Sequence, residues 1–310
     1  MALHIPVMVA EVLEAVDAAH AAHLVDMTLG GGGHAKAMLQ VAPAGATLIA
    51  IDRDETAIEM ARPALAQFES RVAYFHSRFS RLPEILAEAG LEHVDGVLLD
   101  AGVSRDQIID PERGFSFTSE AHLDMRQSRS EPLTAYTVVN DYDPADLGAV
   151  MSRTGKVREA RRVAARVVAA RKTQPITTTA QLAEIIAAAV ARPGDRGKHR
   201  HPSTEWLMAI RVEVNDEVNE LIKGIEAGVR ALEPETGRFV VLTWNGLEHR
   251  IARRTLRALI NPCRCLPTLP CNCGLKPLAK WLVKGASPTE DEVARNPSAR
   301  SCRLFAVTAA

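Results

Sequence analysis

His23-Leu24-Val25-Asp26-Met27-Thr28-Leu29 runs straight into Gly30-Gly31-Gly32-Gly33-His34, and Ala35-Lys36-Ala37-Met38-Leu39 follows at once. An apolar run of strand formers ends in four glycines and reopens as a helix-compatible segment, which predicts strand, tight turn, helix. Glycine at such a turn allows positive φ and lets a ligand approach the backbone closely. The helix start behind it offers N–H groups and a partial positive charge to an anion. A second apolar run, Thr47-Leu48-Ile49-Ala50-Ile51, ends in Asp52. A carboxylate at that strand tip is placed to accept both hydroxyls of a ribose. The start of the chain therefore reads as a nucleotide-type cofactor site.

Two cofactors fit this spacing. Gly30-x-Gly32-x-x-Ala35 formally satisfies the dinucleotide pattern, with Asp52 at the right distance. S-adenosylmethionine (SAM) uses the same geometry, with its carboxylate at the helix end and its ribose on the acid. Asp26, just before the glycines, suits SAM, because an acid there can face the ammonium of the methionine part. A P-loop is excluded, since no Gly-Lys-Ser/Thr closes the turn.

Outward from this unit the pattern repeats. Val9 to Ala19 reads as an amphipathic helix, Glu55 to Phe68 as a second and Leu82 to Ala89 as a third. Val72 to Phe75 and Val94 to Asp100 read as strands, the latter almost wholly apolar and ending in an acid. Continuous apolar strands alternating with helices mean an α/β fold, a parallel sheet covered on both faces. Ligands of such sheets sit outside the carboxyl ends of the strands, at the switch point. Asp26, Asp52, Phe79 and Asp100 all fall at that edge. Phe79 suits either an adenine face or packing under a loop. Asp100 suits either the reacting end of the cofactor or a turn cap.

The alternation then stops. Residues 108–130 form an irregular stretch containing Arg113 to Phe117 and Leu123 to Arg126, and Thr134 to Ala191 is helical in pattern. Arg153, Lys156, Arg158, Arg161, Arg162, Arg166, Arg171 and Lys172 gather between positions 153 and 172 against one acid, Glu159. Positions 158, 162 and 166 share one helix face, which reads as a phosphate-contacting surface or a solvated one. Residues 192–201 form a basic loop, and a helix is expected from Pro202 to about Ala231. Gly237 to Trp244 resumes the sheet, so the helical block is an insertion. Cys302 to Val307 is a last strand expected to close the sheet edge.

Composition sets further bounds. With 310 residues, 47% hydrophobic, 24% charged and a net charge of −1, the chain is an ordinary globular one with no global bias toward nucleic acid. No apolar run reaches membrane-span length and no signal peptide is expected, so the expected compartment is the cytoplasm. Of five cysteines, four form Cys263-x-Cys265 and Cys271-x-Cys273 in a Pro-rich loop. Four close thiols can bind zinc, but zinc pairs are usually two to four residues apart. A reduced loop with no metal is the reading from spacing.

In these motifs the chain resembles the RsmH (MraW) family of SAM-dependent methyltransferases. The resemblance rests on His4-x-Pro6-Val7, Asp26-x-Thr28-x-Gly30-x-Gly32-Gly33-His34, Ile51-Asp52-Arg53-Asp54 and Asp95-Gly96-x-Leu98-Leu99-Asp100-x-Gly102-Val103-Ser104. It continues through Arg113 to Phe117, Leu123 to Arg126, Arg211-x-x-Val214-Asn215, Leu247-Glu248-x-Arg250 and Asn296-Pro297-x-x-Arg300-Ser301. It implies methylation of the exocyclic N(4) amine of a cytosine in 16S ribosomal RNA of the small subunit. It implies a Rossmann-like class I methyltransferase domain over 1–107 and 212–310, and an inserted helical substrate-recognition domain over 108–211. Gly32, Gly33, His34, Asp52, Phe79, Asp100 and Gln107 are the implied SAM residues.

Asp100, with Asn245, is the expected acceptor that localises the lone pair of the amine. Arg113, Arg126, Arg158, Arg162 and Arg166 are the expected RNA contacts, and Phe115, Phe117 and Trp244 the candidates to stack on the base. The partner expected is the small ribosomal subunit or its RNA; a homodimer is compatible with the sequence. Departures from the family pattern fall on the substrate side. Ser104-Arg105-Asp106-Gln107 stands for Ser-Ser-Pro-Gln, Met125-Arg126-Gln127 for Met-Arg-Met, Gly155-Lys156-Val157 for Gly-Glu-Glu and Leu207-Met208-Ala209 for Phe-Gln-Ala. Trp244-Asn245-Gly246-Leu247-Glu248-His249-Arg250 stands for Phe-His-Ser-Leu-Glu-Asp-Arg. They leave open a paralogue acting on another RNA, or a relative that binds SAM or RNA without catalysis. An NAD-dependent oxidoreductase is the rival from spacing, though no hydride-side acid or base is visible.

Overall fold

The computed structural model describes residues 6–116, 121–154, 156–190, 201–266, 268 and 272–310. Phe117, Gly155, residues 192–200 and Cys271, singled out above, lie outside the described residues. In chain order the elements begin α1 (Val9–Val16), β1 (His23–Asp26), α2 (Gly33–Val41), β2 (Thr47–Asp52), α3 (Glu55–Leu65), β3 (Val72–His76), α4 (Leu82–Glu88) and β4 (Gly96–Asp100). They continue with α5 (Arg105–Ile109), α6 (Ala135–Asn140), α7 (Pro144–Ser152), α8 (Val157–Thr173), α9 (Thr179–Val190), α10 (Thr204–Val214) and α11 (Glu217–Arg230). The chain ends with β5 (Arg238–Thr243), α12 (Gly246–Ile260), β6 (Ala279–Ala286), α13 (Glu290–Arg295) and β7 (Arg303–Ala309). No helix among the described residues is long and apolar enough to cross a membrane.

Two compact units result, one from residues 1–102 with 218–310, the other from 103–217. The first holds a seven-stranded sheet in the order β3-β2-β1-β4-β5-β7-β6. The pairs linking β3, β2, β1, β4 and β5 are parallel, and those of β7 with β5 and with β6 are antiparallel. Residues of β1, β2, β4, β5 and β7 are buried on both faces, as a sheet sandwiched by helices requires. Alternate residues serve opposite layers. Val25, Ile49, Val97, Phe239 and Val307 pack with α4, α11 and α12, whereas Leu24, Leu48, Leu98, Val240 and Ala306 pack with α1, α2 and α3.

The last strand does not close the sheet edge as the sequence pattern predicts. β7 lies inside, between β5 and β6, and β6 forms that edge. The β6 sequence hides its nature because it is half-exposed, carries Lys280 and Lys284, and slips register at Trp281/Val283 and Lys284/Ala286. Lysines and bulges are the devices that keep an edge strand from pairing with another chain. At the other end β3 is also only partly buried.

The second unit packs α6 to α10 around the fully buried Trp206, with Leu123, Val138, Leu147, Val163, Leu182 and Ile210 in the same cluster. The helix expected from 202 to 231 is two helices. Asn215 breaks it: its side chain accepts from Gln127 N–H (2.7 Å) and donates to the Met125 and Arg211 carbonyls (2.7 and 2.9 Å). Asp216 follows at φ +50°, a left-handed conformation that no helix continues.

In the first unit α11 lies close against the sheet because Gly224 and Gly228 share one face. A Cβ on Gly228 would come within 2.4 Å of the Phe239 ring, and one on Gly224 within 2.4 Å of the Phe79 ring. Phe239 is fully buried in the centre of the sheet and has no room to retreat. Gly228→Ala is therefore expected to lower stability by about 1–3 kcal/mol through overpacking, measured by urea unfolding at unchanged m-value.

Candidate active site

The glycine turn is tied to the second strand before any ligand is considered. Leu29 N–H donates to the Ile51 carbonyl (2.9 Å) and Gly30 N–H to Asp52 Oδ2 (2.9 Å). Asp52 Oδ1 accepts from Asp54 N–H (2.9 Å), so one carboxylate links both strand tips. Gly32 sits at φ +76° as the residue before α2, and a Cβ there would meet Ala61 Cβ at 3.1 Å. A Cβ on Gly33 would meet Pro6 at 3.0 Å. Glycine is thus favoured at Gly32 by its positive φ and at Gly33 by the tight approach of Pro6, and what these positions offer a ligand is backbone. Gly31, which the motif passed over, has nothing within 4 Å of its Cβ position. The first turn of α2 contains no acid, and no side chain caps it, which suits an incoming carboxylate.

Three acids gather at the carboxyl ends of adjacent strands. Asp26 ends β1, Asp52 ends β2 and Asp100 ends β4. Burial pushes Asp26 up to about 7, while His34 and the Thr28 N–H pull it back and Asp100 and Asp52 add repulsion. Burial also pushes Asp52 up to about 6 against its two backbone hydrogen bonds. Such a cluster repels a pyrophosphate and attracts a cation. SAM carries a sulfonium and an ammonium, so the residues present fit it and disfavour a dinucleotide.

Asp100 is fixed from three sides. Its N–H donates to Thr28 Oγ1 (2.7 Å), its Oδ1 accepts from Trp244 Nε1 (2.7 Å), and its Oδ2 lies 3.9 Å from His34 Nδ1. His34 is buried, and its Nε2 bonds the Val7 carbonyl (2.9 Å). Trp244 N–H in turn donates to Glu248 Oε2 (2.6 Å). Asn245 takes a different part from the one expected. Its Oδ1 caps α12 by accepting from Leu247 and Glu248 N–H (3.0 and 3.1 Å), and its Nδ2 donates to Glu248. Both ends of the Asn245 amide are thus engaged within the Trp244–Glu248 segment. The spacing Asn245-x-x-Glu248 is a capping-box signature that could have shown this.

Other expected residues also have structural partners. Phe79 sits over Gly224, beside Leu99, among the core residues. Gln107 lies in the second unit and completes a capping box with Ser104 (3.1 Å each way). Arg113 is buried and donates to the Gln127 carbonyl (2.8 Å). Arg126 grips Asp124 in a two-pronged pair (2.9 and 2.8 Å) and donates to the Arg129 and Glu131 carbonyls. Both guanidinium groups are engaged within the protein. On α8, Ala160, Val163, Ala164 and Val167 are buried, while Arg158, Arg162 and Arg166 are exposed.

A doubly wound sheet with a glycine turn and a triad of strand-end acids defines a Rossmann-like, SAM-dependent methyltransferase. The MraW methylase family model matches residues 1–310. Among curated relatives, one from Symbiobacterium thermophilum is 40% identical over 306 residues, covering 98% of this chain and 96% of its own. One from Geotalea daltonii is 42% identical over 306 residues, covering 98% and 97%. Both are named ribosomal RNA small subunit methyltransferase H. The chain belongs to the MraW methylase family.

Asp26 and Asp52 hold protons more tightly folded than unfolded, where the value is near 3.8. Folding then takes up protons between roughly pH 4 and 7, so stability without cofactor falls as pH rises through that window. Cofactor affinity is expected to run the other way and to be strongest where both acids are ionised. Asp26→Asn is expected to raise the stability of the cofactor-free protein at pH 8 by on the order of a few kcal/mol, and with it the melting temperature, and to weaken SAM binding. Calorimetry and thermal melts at pH 5.5 and 8 check both directions.

Proposed function

We propose that this protein transfers the methyl group of SAM to the exocyclic N(4) amine of a cytosine in 16S ribosomal RNA, in the cytoplasm. The observation that carries this reading is Asp100, fixed by Trp244 and Thr28 at the strand-end acid cluster of a chain in the MraW methylase family. The full-length relatives named as methyltransferases of small-subunit ribosomal RNA support the substrate class.

SAM supplies an activated methyl group on a sulfonium. When SAM is bound, the α2 N-terminus and the Gly30–Gly33 backbone would hold its carboxylate, Asp26 its ammonium and Asp52 its ribose. The remaining task is at the amine, whose lone pair is delocalised into the pyrimidine ring. A carboxylate that accepts an amine N–H draws that lone pair back onto nitrogen. Trp244 fixes Asp100 through Oδ1, so its other lone pairs keep one orientation without reorganising. Alignment of this kind contributes up to about 7–11 kcal/mol. The proton released afterwards needs no strong base, because a methylated aminopyrimidinium is acidic. The base must leave its stack to be reached, which favours loops and single strands of RNA. The exposed Arg158, Arg162 and Arg166 face supplies phosphate contacts.

Small subunits and naked 16S RNA incubated with labelled SAM, then digested for nucleoside mass analysis, test the reading. N(4)-methylcytidine is the expected product, and Asp100→Ala is expected to reduce its rate at least ~100-fold while the RNA still binds. Label on protein or DNA alone, or SAM binding without turnover, would overturn it. Replacing Arg158, Arg162 and Arg166 by Ala is expected to weaken RNA binding and to lower the salt slope by about 1 for each phosphate that is no longer neutralised. SAM affinity, measured by calorimetry, stays unchanged in that variant.

A further inference from the structure

Cysteine is among the most buried residue types, so exposed cysteines in a cluster call for a reason other than packing. Cys302 behaves in the usual way: it is fully buried beneath β7, and burial pushes its thiol up. Cys263, Cys265 and Cys273 do not. Cys263 and Cys273 are exposed and Cys265 half-exposed, on the long connection between α12 and β6. The connection is pinned at its base, where Leu278 N–H donates to the Leu259 carbonyl (2.9 Å) and Ala310 N–H to the Leu278 carbonyl (3.2 Å). From these fixed ends the chain brings the three sulfur atoms within 4.8 Å of one another.

We infer that Cys263, Cys265 and Cys273 form a structural site for zinc, separate from the methyl-transfer chemistry. A tetrahedral zinc with Zn–S bonds of about 2.3 Å holds its sulfurs about 3.8 Å apart. The observed spread therefore closes with side-chain shifts of roughly 1 Å. Cys265 N–H donates to Cys263 Sγ (3.4 Å), a bond that orients the sulfur and stabilises negative charge on it. The short Cys-x-Cys spacing, which argued against metal in the sequence, is the spacing that makes this N–H bond. Gly274, directly after Cys273, adopts φ +65°, which turns the chain away from the cluster without strain. Residues 261–278 contain Arg264 and Lys276 and no acid, so their charge offsets that of three thiolates around a divalent ion. Sulfur-only donors suit zinc over magnesium or calcium. Cys271 lies outside the described residues and is not part of this geometry.

Metal binding would staple the connection between α12 and β6. The test uses the full-length protein, produced in zinc-supplemented medium and purified with a non-thiol reductant. Metal analysis is expected to find one zinc per chain, and X-ray absorption at least three sulfur ligands near 2.3 Å. Cys263→Ser and Cys273→Ser are each expected to weaken zinc more than ~10-fold while SAM binding persists, which shows that the variants fold. Trypsin cleavage after Arg264 is expected to slow with zinc and to return on chelation. Substoichiometric zinc after reconstitution, another metal in its place, or fewer than three sulfur ligands would overturn the inference. So would recovery of these cysteines as disulfides from cells alkylated during lysis.

Discussion

Three carboxylates brought to one end of a buried sheet are the constraint that the first unit has to satisfy. Asp26, Asp52 and Asp100 end neighbouring strands because β1 sits between β2 and β4, with the chain reversing direction of strand addition there. Burial raises the protonation of Asp26 and Asp52, and their mutual repulsion adds to it for Asp26. Left alone this arrangement opposes folding at neutral pH. Each acid has a local partner in the fold, and a cationic ligand would relieve the opposition that an anionic one would worsen.

The partners of these acids explain much of the motif pattern around them. Thr28 receives the Asp100 N–H, Gly30 donates to Asp52, and His34 links the Val7 carbonyl to the neighbourhood of Asp100. Residues that a motif assigns to ligand binding thus also build the strand tips on which binding depends. The Trp244-to-Glu248 segment works in the same way. Asn245 and Glu248 cap α12 and hold the Trp244 backbone, and Trp244 holds Asp100. An indole N–H is a donor that phenylalanine, the usual family residue at this place, lacks. This departure therefore tightens the hold on Asp100.

In the second unit the arginines divide by what α8 and the 110–131 loop need for themselves. Arg113 and Arg126 close that loop through backbone carbonyls and Asp124. Arg171 likewise donates to the Val139 and Tyr142 carbonyls. Planar, multiply donating guanidinium groups are suited to both tasks, tying an irregular loop and gripping phosphate. Accessibility separates the two sets: Arg113 is buried, whereas Arg158, Arg162 and Arg166 are exposed on α8.

The sequence by itself determined the alternation of strand and helix through β4, the glycine turn, the acids at strand ends and the basic face of α8. Each is legible because it rests on a local rule: period-2 or period-3.6 burial, glycine after a strand, or i, i+4 spacing. The capping box at Ser104–Gln107 and the Asn245 side-chain cap of α12 were equally local, and their signature was present to be read. Only the tertiary structure decided the strand order at the far edge, where β7 slots between β5 and β6 and a half-exposed, lysine-bearing strand becomes the margin. Only it decided that Arg113 and Arg126 turn inward, that Gly32 and Gly33 answer to Ala61 and Pro6, and that three thiols converge. Those outcomes depend on which distant residues come together, and no local spacing encodes that.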